Sequence, residues 1–141
     1  MAIPVFVHWF RRDLRLADNP ALAAAVQAAR AADGRLLLLY IHDDETPGEW
    51  RWGGAHRWWL NRSLKSLADS IGAKDNQLVL KSGNAKAVLE QLADTLPIRG
   101  VFWNRCYEPF AIERDKAIKS QFKDRDITVE SFNGSLLNEP W

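Results

Sequence analysis

Short apolar runs alternate with helical patterns along this chain, and that alternation limits the folds it can adopt. Between the runs, apolar residues recur at helical spacing. Strands that alternate with helices form parallel sheets through right-handed crossovers. We therefore predict an α/β, Rossmann-like fold, a five-stranded parallel sheet with helices on both faces and strand order 3-2-1-4-5. The predicted strands are residues 3–10, 36–42, 77–81, 100–104 and 127–132.

The predicted helices begin and end at residues that favour those positions. Asn19 can cap the first helix, and Pro20 suits its first position. Asp33 and Gly34 should end that helix. The later helices are predicted from about residue 55, from residue 84 to the proline at 97, and from residue 108 to about residue 124.

The composition is typical of a soluble globular domain. The chain has 141 residues, of which 47% are hydrophobic and 26% charged. The longest apolar run, residues 36–41, is too short to span a bilayer, and no secretory signal pattern opens the chain. A single cysteine fits a reducing compartment, so we expect a cytoplasmic protein. The net charge of +1 argues against a nucleic-acid surface spread over the whole domain.

Candidate binding residues follow the predicted strands. In open α/β sheets, ligands bind beyond the carboxyl ends of the strands, where the strand order reverses. Here that point lies between the first and fourth strands. Cationic and hydrogen-bonding side chains there, near aromatic faces, suit a planar heterocycle with polar edges. The predicted cofactor-binding residues are Arg11, Asp43, Arg51, Asn104, Cys106 and Glu108.

Structural roles are open for the same segments. Asn104 and Glu108 could brace the loop or cap the next helix, and Cys106 could be an inert thiol. The arginines after the first strand could hold an anion, brace the loop with Asp13, or join a second domain.

The central part of the chain is rich in tryptophan. Trp50, Trp52, Trp58 and Trp59 surround a Gly53-Gly54 pair. These rings could stack on a planar ligand, or one of the adjacent pair could pack in the core. We expect part of this region to be exposed, and we expect the chain to self-associate through it at high concentration.

The usual catalytic and phosphate-binding motifs are not found in the sequence. There is no Walker loop, no Gly-x-Gly-x-x-Gly and no nucleophile elbow, and the three histidines lack metal-ligand spacing. His8 falls inside a predicted strand and should be a core residue. No catalytic residue and no metal site is predicted.

Four segments resemble motifs of the DNA photolyase and cryptochrome family, and they occur in the family's order. The first two are Trp-Phe-Arg-Arg-Asp-Leu-Arg-Leu-Ala-Asp-Asn at 9–19 and Gly-Ala-His-Arg-Trp-Trp-Leu-Asn-Arg-Ser-Leu at 54–64. The others are Trp-Asn-Arg-Cys-Tyr-Glu-Pro at 103–109, with Arg-Asp at 114–115, and Ser-Phe-Asn-Gly-Ser-Leu-Leu-Asn-Glu-Pro-Trp at 131–141. The resemblance covers essentially the whole chain.

The resemblance implies that residues 1–135 form the N-terminal α/β antenna domain and that residues 136–141 begin a linker to a helical domain. In the family, the helical domain binds FAD and damaged DNA, and light-driven electron transfer from the reduced flavin splits pyrimidine dimers. The implied function is that of a deoxyribodipyrimidine photo-lyase, a carbon-carbon lyase. The implied partners are the protein's own helical FAD domain and, through it, DNA, with no membrane. This part alone is expected to be inactive.

One departure from the family's motifs bears on the antenna chromophore. Phe110 and Ala111 stand where members with the well-known folate mode have an Asn-Glu pair. The resemblance therefore favours a deazaflavin or another flavin over that mode. Two alternatives stay open: a cryptochrome-type blue-light receptor, and a standalone nucleotide-binding module. The latter would need a glycine-rich phosphate loop near residues 82–84, where only Gly83 is present.

Overall fold

Five strands and four helices alternate along the computed structural model. It describes residues 3–11, 14–42, 54–73, 76–106 and 108–133, with the side chains of residues 54–60 outside that description. The strands are β1 (Val5–Phe10), β2 (Arg35–His42), β3 (Leu78–Ser82), β4 (Ile98–Asn104) and β5 (Thr128–Phe132). The helices are α1 (Pro20–Ala31), α2 (Gly54–Gly72), α3 (Ala85–Thr95) and α4 (Pro109–Lys123).

The strands form one parallel sheet in the order β3-β2-β1-β4-β5. The predicted fold class and strand order are therefore confirmed. β1 occupies the centre, with Trp9 beside Leu39 of β2 and His8 beside Phe102 of β4. Every residue of β1 is buried, His8 included, as a strand covered on both faces requires.

The two faces of the sheet pack against different helices. Side chains alternate along a strand, so Val7 and Trp9 of β1 contact the core formed with α3 and α4. Phe6 and Phe10 face the opposite side, where α1 and α2 pack. Helices therefore cover both faces, as predicted.

The helix ends explain several of the sequence signals. Asn19 caps α1 by accepting a hydrogen bond from the Leu22 amide at 3.0 Å. At the other end of α1, Asp33 adopts the left-handed conformation, with φ of 51°. Glycine is required at position 34 for a different reason, because a Cβ there would lie 2.6 Å from the carbonyl oxygen of Pro4. Asn84 caps α3 through the Ala87 amide at 3.1 Å.

Within the ranges given above, no helix has the length and apolar character that crossing a membrane requires.

Candidate functional site

The carboxyl ends of β1 and β4 form the point where the strand order reverses. The chain leaves β1 toward α1 on one face of the sheet and leaves β4 toward α4 on the other. Arg11 follows β1, Asn104 ends β4, and Cys106 and Glu108 come next. The structure thus brings these four predicted site residues together at one edge. The other two, Asp43 and Arg51, lie outside the described residues, as do the side chains of the Trp50–Trp59 region.

Arg11 is buried and links three elements. Its Nη1 donates to Asp115 Oδ1 of α4 at 2.6 Å, and its Nη2 donates to the Asn104 carbonyl oxygen at 2.8 Å. The guanidinium also lies over two indole rings, 4.9 Å from the centroid of Trp9 and 5.5 Å from that of Trp103. The cation therefore ties the end of β1 to β4 and α4.

The side chain of Asn104 joins β4 to the start of α1. Its Nδ2 donates to Asn19 Oδ1 at 2.7 Å, and its Oδ1 accepts from the Ala21 amide at 3.3 Å. Asn19 in turn donates to the Arg15 carbonyl oxygen at 3.0 Å. Both asparagines are buried. Asn104 thus has the bracing role that was one of its two predicted interpretations.

A second arginine shares the carboxylate of Asp115. Arg114 Nε lies 3.3 Å from Asp115 Oδ1, and its guanidinium lies 5.0 Å from the Trp9 ring centroid. Burial and the neighbouring charge of Arg11 lower the pKa of Arg114, and Asp115 opposes that change. Arginine's ordinary pKa lies so far above neutrality that Arg114 stays positive despite this decrease. This part of the edge therefore holds two cations against one buried carboxylate.

Trp9 and Trp103 form the apolar base of this charged group. Their rings meet edge to face at 5.3 Å between centroids, a preferred geometry for aromatic pairs. Trp103 is fully buried. Its Nε1–H finds no hydrogen-bond acceptor among the described residues.

Cys106 and Glu108 are half-buried at the same edge. Burial raises the pKa of the Cys106 thiol, and the charges of Arg11 and Arg114 only partly offset the effect. The thiol is therefore neutral near pH 7 and a poor nucleophile, which matches the inert interpretation. Glu108 occupies the N-cap position of α4, where its carbonyl oxygen accepts from the Ala111 and Ile112 amides, but its side chain makes no cap hydrogen bond.

Asp115 has a role at this edge that was not predicted from the sequence, although one signal pointed to it. Asp115 shares the buried face of α4 with Ala111, Ile118 and Phe122. A carboxylate on such a face needs a buried cation, because an unpaired buried charge is strongly unfavourable. The described residues contain no group of three or more His, Cys, Asp or Glu side chains arranged to hold a metal ion.

Comparison with known proteins shows the family to which the chain belongs. The DNA photolyase family model matches residues 6–141. The chain belongs to the DNA photolyase family. One relative in this family is the deoxyribodipyrimidine photo-lyase of Agrobacterium fabrum, 43% identical over 97% of this chain and 27% of that protein. Cryptochrome-2 of Arabidopsis thaliana is 42% identical over 94% of this chain and 21% of that protein.

Solved structures from the family share the fold. A bacterial class III photolyase from Agrobacterium tumefaciens has a TM-score of 0.84 at 40% identity, over 99% of this chain and 27% of that one. An archaeal photolyase from Sulfolobus tokodaii has a TM-score of 0.80 at 26% identity, over 96% of this chain and 30% of that one. That structure contains two FAD molecules, with the implication of a novel light-harvesting cofactor. The chain thus spans about a quarter of these relatives and matches the N-terminal α/β domain of photolyases and cryptochromes.

Proposed function

We propose that this chain is the antenna domain of a deoxyribodipyrimidine photo-lyase. The observation that carries the proposal is the family match over residues 6–141, together with 40% identity to a class III photolyase of the same fold. In this proposal, residues 1–135 form the domain and residues 136–141 lead into a helical domain. That domain holds FAD, binds damaged DNA and uses light to split the pyrimidine dimer.

The role proposed for the α/β domain is to hold a second chromophore at the edge between β1 and β4. A deazaflavin or another flavin is favoured over the well-known folate mode, because Phe110 and Ala111 replace the Asn-Glu pair of that mode. The second FAD of the Sulfolobus photolyase supports a flavin-type ligand in this family.

The contacts at this edge suggest different roles for the buried and the half-buried residues of the predicted site. Arg11 and Asn104 are buried and bond to Asp115, Asn19 and the backbone. They therefore act as positioning residues beneath the chromophore. In this proposal, the half-buried Cys106 and Glu108 contact the chromophore directly.

Chromophore titrations test this assignment. A deazaflavin, FMN and a reduced folate are titrated against the chain and against the protein extended by its helical domain. Glu108→Gln is expected to weaken binding of the preferred chromophore about tenfold, the loss of one hydrogen bond to a charged group. Glu113→Gln, at an exposed position of α4 five residues after Glu108, is the control and should change nothing. Equal binding by wild type and Glu108→Gln would contradict the assignment.

Light-driven repair tests the activity itself. The extended protein should bind FAD and repair dimer-containing DNA under illumination, whereas the 141-residue chain should do neither. Stoichiometric binding of FAD by the 141-residue chain, or repair of DNA by that chain, would contradict this proposal.

A cryptochrome-type light receptor is the second candidate. It is supported by the 42% identity to cryptochrome-2 of Arabidopsis thaliana, within one percentage point of the identity to the photo-lyase. The repair assay separates the two: an extended protein that binds FAD and responds to light without repairing DNA would favour the receptor.

A further inference from the structure

An apolar groove lies between α1 and α2, on the face of the sheet opposite α3 and α4. Its volume is about 1070 Å³. Side chains from three elements line it, among them Leu22 and Val26 of α1, Leu36 and Leu38 of β2, and Ile71 of α2. Val26 and Leu36 are only half-buried. Among the described residues, α1 and α2 therefore leave an apolar strip incompletely covered.

The end of the last strand lies at this groove. Asn133, the residue after β5, is part of the groove wall. In this parallel sheet all five strands end at one edge, and α1 begins at the same edge. Asn133 therefore lies near the start of α1, whereas Arg30, in the last turn of α1, lines the other end of the groove. The groove thus runs along α1 from the place where the chain leaves β5.

The sequence that follows Asn133 suits such a groove. Residues 134–141 lie outside the described residues. They include the adjacent pair Leu136 and Leu137 and a tryptophan at 141. An extended chain advances about 3.3 Å per residue, so eight residues span roughly 26 Å. The 12 residues of α1 span roughly 18 Å at about 1.5 Å each. The segment is therefore long enough to follow the groove to the last turn of α1.

Arg30 provides a positive charge at the far end of the groove. It is exposed, and it forms no salt bridge with another residue that the structure describes. The acidic residue of the segment 134–141 is Glu139, six positions after Asn133, or about 20 Å in an extended chain. Arg30 lies about 15 Å along α1 from its first residue. Glu139 can therefore reach the Arg30 guanidinium while the two leucines lie beside the apolar part of the groove.

We propose that residues 134–141 occupy the groove between α1 and α2 as an extended segment, with a leucine against Val26 and Glu139 paired with Arg30. Burial of apolar side chains against the half-buried strip drives the docking. The charged pair fixes the register of the segment along α1. The inference concerns how the chain leaves the sheet and does not depend on the proposed antenna function.

Disulfide trapping tests this arrangement in the 141-residue chain. Cys106→Ser removes the single native cysteine. Gln27→Cys, at an exposed position in the groove wall, is combined with Leu136→Cys or Leu137→Cys. A disulfide needs Cα atoms within about 7 Å, so at least one pair should oxidise within a single chain. The control is Lys116→Cys, exposed on α4 at the other face and near Ser131 of β5. It should form the bond at least tenfold more slowly.

The control is strict because both positions are exposed on a helix and lie within reach of a chain leaving β5. Equal oxidation rates for Gln27→Cys and Lys116→Cys would show a segment without a fixed place and would overturn the proposal. Bonds formed only between chains, at a rate that rises with protein concentration, would assign the groove to a second copy and would also overturn it.

A charge swap tests the pair at the far end of the groove. Arg30→Glu should slow oxidation of the Gln27→Cys pair at least threefold, because it places like charges together, and adding Glu139→Arg should restore the rate. Arg35→Glu makes the same charge change at an exposed position of β2 that does not line the groove, and it should leave the rate unchanged. Equal slowing by the two single changes, or no rescue by Glu139→Arg, would contradict the pairing of Glu139 with Arg30.

Discussion

Arg11 Nη1 donates to Asp115 Oδ1 at 2.6 Å across 104 positions of sequence, and both side chains are buried. The pair connects the end of the central strand to the helix after β4, at the edge where the chromophore is proposed to bind. Arg114 approaches the same oxygen at 3.3 Å. Two arginines at this edge therefore share one carboxylate.

Removing the charge of Asp115 should destabilise the fold strongly. Asp115→Asn removes the carboxylate charge that both Arg11 and Arg114 contact, and breaking a buried pair on one side costs about 3–5 kcal/mol. The control is Asp94→Asn, which breaks the exposed 2.7 Å pair with Arg125 and should cost under about 1 kcal/mol. Urea unfolding of the two variants measures the difference, and equal losses would contradict a structural role for the buried pair.

The side-chain amide of Asn104 should contribute substantially to the stability of the fold. Asn104→Ala leaves Asn19 Oδ1 and the Ala21 amide without this partner in a buried place. We expect a loss of about 2–3 kcal/mol, because buried polar groups left unsatisfied cost about 1–3 kcal/mol each. Asn84→Ala, which removes the cap of α3, makes the same substitution and should cost about 1 kcal/mol. Comparable unfolding midpoints for the two variants would show that the Asn104 bonds add little.

The Cys106 thiol should react slowly with alkylating reagents. Its raised pKa should also make the free energy of unfolding decrease at alkaline pH. Burial raises its pKa in the folded chain, so alkylation by iodoacetamide at pH 8.5 should be about tenfold slower than in urea. Above the ordinary thiol pKa, the unfolded chain ionises while the folded chain keeps its proton. The free energy of unfolding then decreases as pH rises toward the folded pKa. Cys106→Ala should remove that part of the decrease, and identical alkaline profiles for both proteins would argue against it.

Replacing Gly34 and Gly72 with alanine should change the stability of the fold in opposite directions. Gly34→Ala brings a Cβ to 2.6 Å from the Pro4 carbonyl oxygen and 3.0 Å from the Phe6 ring, and such crowding costs about 1–3 kcal/mol. Gly72→Ala in α2 meets no atom within 4 Å and should stabilise by up to about 1 kcal/mol through helix propensity. Thermal unfolding of both variants gives the signs. A Gly34→Ala variant as stable as the wild type would show that β1 shifts freely there.

The fold could be predicted because its signals are local. Each strand is a short apolar run, and Asn19, Asn84 and Pro97 mark helix boundaries within a few residues of sequence. The strand order was predicted together with the alternating pattern of strands and helices, which implies right-handed crossovers and a parallel sheet. Asp33 and Gly34 were placed correctly, but the sequence did not show that Gly34 is required by a close approach of Pro4.

The candidate site was less predictable because its contacts join distant segments. The sequence placed Arg11 and Asn104 at the right edge but could not show that Asp115 and Asn19 bond to them. Those contacts span 104 and 85 positions. Nor did any pattern indicate that Arg105, after β4, and Lys119, in α4, both donate to the Ser131 hydroxyl of β5.

The long sequence separation within the Arg11–Asp115 pair has a consequence for folding kinetics. The pair cannot form until β1, β4 and α4 are all assembled, and closing so long a segment is slow and entropically unfavourable. Its contribution should therefore be absent from the transition state. Asp115→Asn would then accelerate unfolding and leave the folding rate almost unchanged, the behaviour of a residue with a φ-value near zero. The charged pair at the sheet edge thus acts chiefly to lengthen the lifetime of the folded domain.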